Sequence, residues 1–415
     1  MTKKVLITGA STYGVKNHGD DAMLSTLVTE LKELIPNIDI TFLCRHPDLK
    51  YDELFGFRSL QNMDHDSAKE AEGRFFNGFN YGDDWQNLSK IVEAIQTSDF
   101  IIIGGNSLME IRHNEFLRGV SSYASLMALW CISFGKPYAL YGLNIVEPIL
   151  SSLTKQHAKF LIENSEVVTA RERHVIEYLK KANISSSKVR VCGDPAFGLI
   201  TGETTQISEL LGDKFVNWRH DQKPLIGLNY RIEYWNCSDE RRDFILKQLA
   251  TVVENLIKEN AVQMLFIPNC TYTKGDLWQD DRTTNSAIHK LVKRDYAEEV
   301  FLIQDEKNIF DTTKIFSLLD FHITNRRHSA IFAALKSVPF CLYEVGFSSH
   351  ISPLFSELAL NAQCISIDAE TEEQLSHINQ YISSSKQLVE QFEPRVRVLA
   401  KNARDQVKII ADKIR

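Results

Sequence analysis

The sequence predicts an α/β fold of two successive domains, each a mainly parallel sheet flanked by helices. Three observations carry that prediction. Runs such as Phe100–Ile103 and Val338–Tyr343 are apolar throughout, as strands covered on both faces must be. Between these runs lie stretches with apolar residues at helical spacing, and a strand–helix alternation implies parallel pairing. The alternation lapses between about residues 202 and 223, where the chain turns polar and aperiodic, and then resumes.

Taken in order, Val5–Thr8 is a strand, and residues 9–19 form a polar loop with three glycines. From Asp20 the residues Met23, Leu24, Leu27, Leu31 and Leu34 mark one face of a helix, and Ile38–Leu43 returns to strand character. This βαβ unit predicts a ligand site beyond the carboxyl ends of the strands. Residues 47–90 carry charges, glycines and aromatics without a period. They read as a surface insertion with a small helical piece, or as a flap whose aromatic faces suit sugar rings. The rhythm resumes with strands at Phe100–Ile103, Pro137–Leu143, Val167–Ala170 and Val189–Val191. The helices between them are Val120–Phe134, Thr154–Glu163 and Arg173–Ala182. The first domain is therefore 1–205 and the second 222–392. The second has strands at Leu225–Tyr230, Gln263–Ile267, Val300–Ile303, Phe321–Thr324 and Val338–Tyr343. Its helices are Arg241–Lys258, Thr284–Val292, Ser329–Lys336 and one near Ile351–Leu358. The segment 395–415 forms an amphipathic helix with Val396, Leu399, Ala403, Val407, Ile410 and Ile414 on one stripe. Its basic flanks suit either an anionic membrane surface or, more commonly, packing on the protein itself.

Charge and cysteine usage narrow the function. Lys and Arg number 47 against 54 Asp and Glu, a balance of −7, which gives no general attraction to nucleic acid. The seven cysteines are scattered with no CxxC pair, so neither a disulfide framework nor a zinc site is indicated, and a reducing compartment is expected. No apolar run approaches the roughly 20 residues of a membrane span. The N-terminus lacks a signal-peptide core, so a cytoplasmic location is expected.

The opening Thr8-Gly9-Ala10-Ser11 suggests a short-chain dehydrogenase. Tyr13 and Val15, however, stand where that glycine spacing needs Gly, and the Tyr-x-x-x-Lys pair is missing. GxGxxG with a following acid, Walker A, GxSxG and HExxH are also absent. The loop signals a ligand at a helix N-terminus, but not a dinucleotide.

What the loop does hold is Asn17-His18-Gly19-Asp20-Asp21-Ala22-Met23-Leu24, which resembles the N-x-G-D-x-A-x-L sequence of the polysaccharide pyruvyl transferase family. The resemblance recurs in order at Asp99–Gly105, Tyr141-Gly142 to Pro148, and Thr169-Ala170-Arg171-Glu172 with Leu179. It continues at Gly193-Asp194-Pro195-Ala196-Phe197, Gly227–Arg231, and Arg326-Arg327-His328-Ser329-Ala330 with Val338-Pro339. Asn106, His174 and His350 depart from the residues frequent at those places. The resemblance implies two Rossmann-like domains in a GT-B-like arrangement with an interdomain cleft, the acceptor on the N-terminal side and the donor on the C-terminal side. It also implies transfer of the enolpyruvyl unit of phosphoenolpyruvate onto two sugar hydroxyls as a ketal, in cell-surface polysaccharide synthesis. Phosphoenolpyruvate is then a co-substrate, the partner is a glycan or lipid-linked sugar, and no metal or cofactor is required.

Residue types fit that expectation. Arg231 and Arg326 follow predicted strands, where an open α/β sheet holds its ligand, and a guanidinium fork suits phosphate and carboxylate. His328 is the candidate acid for the methylene carbon. Asp20 is the candidate base for the acceptor hydroxyl, or else an N-cap. Asn17, Gly105, Arg171, Arg327 and His350 complete the expected binding set. Asn17 alternatively shapes its turn, and Arg171 alternatively pairs with Glu172 or Glu166. Two other functions fit the same architecture: a nucleotide-sugar glycosyltransferase, with Glu344 as the lone ribose-binding candidate, and a non-catalytic protein binding an anion or glycan.

Overall fold

A computed structural model describes residues 2–9, 16–62, 85–104, 120–145, 152–200, 206–232, 237–274, 276–344, 352–362 and 364–415. The chain divides into two compact units, Met1–Ile200 with Leu399–Arg415, and Thr201–Val398.

The first unit holds a seven-stranded sheet in the order β3-β2-β1-β4-β5-β6-β7, parallel throughout. Its strands are β1 Lys3–Thr8, β2 Ile38–Cys44, β3 Arg58–Gln61, β4 Phe100–Gly104, β5 Tyr138–Leu143, β6 Val167–Ala170 and β7 Val189–Val191. The helices are α1 His18–Leu34, α2 Leu49–Phe55, α3 Trp85–Thr97, α4 Val120–Ser133, α5 Ser152–Asn164 and α6 His174–Lys181. Strands β4 and β5 are buried at every position, because helices cover both faces. Each inner strand contributes side chains to two cores. Leu6, Ile101 and Ile103 face one, and Val5, Ile7, Phe100 and Ile102 face the other. Strand order reverses between β1 and β4, so their carboxyl ends, Thr8 and Gly104, mark the switch point of this sheet.

The second unit holds a five-stranded parallel sheet in the order β10-β9-β8-β11-β12. Its strands are β8 Leu225–Asn229, β9 Gln263–Phe266, β10 Val300–Leu302, β11 Phe321–Thr324 and β12 Phe340–Leu342. Its helices are α7 Ile207–Trp218, α8 Asp239–Asn260, α9 Asp281–Leu291, α10 Arg294–Ala297, α11 Ile309–Phe316, α12 Arg327–Leu335, α13 Ser352–Glu357 and α14 Thr371–Ser383. The last helix, α15 Ser385–Ile414, begins in this unit and ends in the first. Order reverses here between β8 and β11.

Four sequence expectations need correction. The aperiodic 47–90 stretch contributes α2 and the edge strand β3 to the sheet, and Phe55 and Phe57 stack at 5.6 Å, so this part is integral to the fold. Of that stretch, residues 63–84 lie outside the described residues. The polar connection contains α7, whose period is interrupted at Gly212 (φ 74°). Phe215 of α7 is buried, edge-on to Phe301 at 5.2 Å. Helices α11 and α14 lie between predicted strands and beyond them. Finally, α15 starts at Ser385, not 395, and runs through Pro394.

The apolar stripe of α15 is buried in the first unit. Val407, Ile410, Ala411 and Ile414 share a core with Val5, Leu24, Leu27 and Phe42. Arg415 donates to the Leu34 carbonyl at 2.6 Å and ties down the end. The stripe a membrane surface would need is thus covered by the protein itself. No helix among the described residues is long and apolar enough to cross a membrane. At Gly198 a Cβ would lie 2.4 Å from Thr26 Cγ2 and 3.2 Å from Ala403 Cβ, so a side chain there would push α1 and α15 apart.

Candidate active site

The residues that could recognise an anion gather in the second unit, where β8 and β11 end side by side. Asn229 and Thr324 are register partners, and Arg231 and Arg326 each follow two residues later. Asn325 stitches the two ends together. Its Oδ1 accepts from the Arg231 N–H at 2.7 Å, and its Nδ2 donates to the Arg231 carbonyl at 2.8 Å. A buried amide bridging two loops fixes both backbones at once.

Both guanidiniums act on one neighbour. Burial pushes the Cys270 thiol up to about 11, and the positive charges of Arg326 and Arg231 oppose that rise. Arg326 Nη2 bonds the Asp281 carboxylate, which is itself 1% exposed. Its Nε is buried with no hydrogen-bond partner among the described residues.

The helix α12 begins directly after Arg326, whose extended backbone (φ −108°, ψ 124°) makes it the N-cap. It supplies no side-chain cap, and the first helical bond is Ala330 N–H to the Arg326 carbonyl at 3.1 Å. The N–H groups of Arg327, His328 and Ser329 therefore precede the intrahelical ladder, at the positive end of the helix dipole. His328 occupies the first turn and is half-buried. Arg327 donates from Nη2 to both Glu357 oxygens, at 2.9 and 2.8 Å, which ties α12 to α13. That pairing fixes Arg327 Nη2 against α13.

In the first unit the polar residues lie at the carboxyl ends of β1 and β6. Asn17 is the N-cap of α1: its Oδ1 accepts from the Gly19 N–H at 3.2 Å and its Nδ2 donates to Asp20 at 2.7 Å. Asn17 thus shapes the turn, and Asp20 is the buried first-turn carboxylate that it orients, not the cap itself. Asp21 accepts from the Tyr51 hydroxyl, and Thr8 Oγ1 lies 2.9 Å from the Tyr123 hydroxyl. Arg171 is buried, donates to the Gly142 carbonyl at 2.9 Å and lies 3.9 Å from Asp194. The expected partner Glu172 instead faces His174 at 2.9 Å. Asp194 caps the turn Pro195–Gly198 through the Ala196 N–H at 3.0 Å. Gly105 and His350 lie outside the described residues. Glu344 is exposed, with its N–H bonded to the Ile365 carbonyl at 2.8 Å. Among the described residues no group of three His, Cys, Asp or Glu could hold a metal ion. Sequence reasoning missed Asp281, Asn325 and Cys270, which act across strands. Only their position after apolar strands or at a helix start hints at them.

Solved structures share this fold across the whole chain. The UDP-GlcNAc 2-epimerase from Neisseria meningitidis, solved with UDP-GlcNAc, superposes with a TM-score of 0.65 at 12% identity, covering 99% of this chain and 100% of that one. A glycosyltransferase from Rickettsia africae gives 0.59 at 12% identity, covering 100% and 98%. A protein from Anabaena solved with UDP and glucose gives 0.60 at 12% identity, covering 99% and 99%. These likenesses show the fold, two Rossmann-like domains of GT-B type, and no more. No curated protein matches the chain. The family model for polysaccharide pyruvyl transferase matches residues 17–345, from the cap of α1 to just past β12. The chain belongs to the polysaccharide pyruvyl transferase family.

Proposed function

We propose that the protein transfers the enolpyruvyl unit of phosphoenolpyruvate onto two hydroxyls of a glycan or lipid-linked sugar, forming a pyruvate ketal. The observation that supports this reading most is the pair Arg231 and Arg326 at the β8/β11 switch point, joined through Asn325 and followed at once by the α12 N-terminus. Two guanidiniums and a helix dipole end suit a small donor that carries both a phosphate and a carboxylate. Family membership supports a transferase acting in polysaccharide modification.

In this reading His328 gives a proton to the methylene carbon and C2 becomes oxocarbenium-like. One sugar hydroxyl adds to C2 and gives up its proton. Phosphate leaves with the C–O bonding pair, and the second hydroxyl closes the ring as its own proton departs. Of the two hydroxyl protons, one restores His328 and the other leaves with phosphate, so the balance closes. The scheme asks for no metal or cofactor, and it puts the chemistry in the cytoplasm, where the donor is made.

The likeness to proteins solved with UDP or UDP-GlcNAc keeps a nucleotide-sugar enzyme as the second reading. Release of inorganic phosphate from phosphoenolpyruvate, dependent on an added sugar diol, tests the first. Heat stabilisation by a nucleotide sugar, with none from phosphoenolpyruvate, overturns it.

A further inference from the structure

Asp281 is buried at the first position of α9 and faces three elements at once. Its Oδ2 accepts from the Asn269 N–H at 2.8 Å, the Cys270 N–H at 2.9 Å and Asn229 Nδ2 at 3.2 Å, while its Oδ1 accepts from Arg326 Nη2. Asn229 ends β8, Asn269 and Cys270 follow β9, and Arg326 follows β11. One carboxylate therefore holds the ends of three strands and one of the two arginines assigned to the donor.

We infer that Asp281 is a positioning residue, which orients the Arg326 guanidinium toward the donor without touching it. The geometry argues this in two ways. A side chain as long as arginine loses much rotamer freedom on binding, and fixing it beforehand removes that cost from the binding step. The bond to Asp281 also engages only Nη2. It leaves Nε, which has no hydrogen-bond partner among the described residues, and the remaining N–H groups of the fork for an anion. Two backbone N–H groups and a side-chain amide hold the Asp281 carboxylate in place at the start of α9, so it is a fixed anchor.

This inference rests on the phosphoenolpyruvate reading, and two measurements separate its failure from the failure of that reading. In Asp281→Asn the side-chain oxygen can still accept from Asn269 and Cys270, but the facing amide cannot accept from Arg326. The expected result is a rise of about tenfold or more in the KM for phosphoenolpyruvate with kcat nearly unchanged. A purely structural role would lower the active fraction, and hence kcat, without moving KM. The second measurement needs no donor: an arginine-selective dicarbonyl reagent should label Arg326 faster in Asp281→Asn than in the wild type, read by peptide mass spectrometry. An unchanged KM and unchanged labelling in a folded variant overturn the inference. Faster labelling in a protein that shows no phosphoenolpyruvate binding upholds the anchor and overturns the donor reading. Should Asp281→Asn not fold, Asp281→Glu, which displaces the carboxylate by one methylene, is expected to show the same KM rise. Wild-type values for it overturn the inference.

Discussion

Replacing Arg326 by alanine tests stability and donor binding in one variant. The Arg326 side chain is 10% exposed and its partner Asp281 is 1% exposed, so the pair is nearly dry. Removing one member of a buried pair leaves the other charge uncompensated, at about 3–5 kcal/mol. Asp281 keeps Asn229, Asn269 and Cys270 as donors, which puts the expected loss at the lower end, about 3 kcal/mol. For a unit of this size each kcal/mol moves the Tm by about 2–4 °C, so melting of Thr201–Val398 should drop by about 6–12 °C. Loss of a charged hydrogen bond to the donor adds about 1.5–3 kcal/mol in binding, or roughly 10- to 150-fold in the dissociation constant. Calorimetric melting and titration with phosphoenolpyruvate read the two losses separately. Arg326→Lys keeps a charge against Asp281 but loses the fork, so it should restore much of the Tm and little of the affinity. An Arg326→Ala protein that melts and binds like the wild type refutes the reasoning. One that loses stability alone makes the arginine a structural ion pair and nothing more.

Three further outcomes are expected. His328→Ala should lower turnover about 10²–10⁴-fold and leave the KM for the donor near wild type, and near-normal turnover removes it as the acid. Burial pushes His322 down to about 3 while the unfolded chain titrates near 6.5, so the folded state holds the neutral ring and the unfolded state takes up the proton first. Stability from this group is therefore full above pH ~6.5 and falls by about 1.4 kcal/mol per unit as the pH drops toward 3. Denaturant titrations at pH 7 and 5.5 should show a wild-type loss that His322→Gln lacks, and equal losses contradict the assignment. Ile410→Ala, at a fully buried position of α15, should cost about 2–5 kcal/mol, whereas a change under about 0.5 kcal/mol would mean that the stripe is not core.

The strands were the most legible part of the sequence. Phe100–Gly104 and Tyr138–Leu143 fall where the apolar runs Phe100–Ile103 and Pro137–Leu143 place them, because a strand covered on both faces leaves few polar residues to blur it. The positions of Arg231 and Arg326 just past strands β8 and β11 were legible for a related reason, and an open sheet holds its ligand at that edge, whereas His328 was named from its residue type and the family resemblance. Elements whose pattern depends on something far away were hidden. β3 is an edge strand, half-exposed, with no apolar run to announce it. α7 hides behind Gly212, and α15 extends back through Pro394 because Phe392 packs on Phe340 at 5.9 Å. Asp281 was hidden most completely. Beside Asp280, which caps α9 through the Arg282 N–H, it looks like one more acidic residue at a helix start. Its role comes from strands β8, β9 and β11, whose ends meet only in the folded sheet.

The central claim concerns the charge of the ligand that the second unit holds, and calorimetric titration of the wild-type protein with phosphoenolpyruvate and separately with UDP-GlcNAc tests it most directly. The account predicts saturable binding of phosphoenolpyruvate, weakened about tenfold or more by Arg231→Ala. Binding of UDP-GlcNAc with no heat from phosphoenolpyruvate, or phosphoenolpyruvate binding indifferent to Arg231, would contradict it.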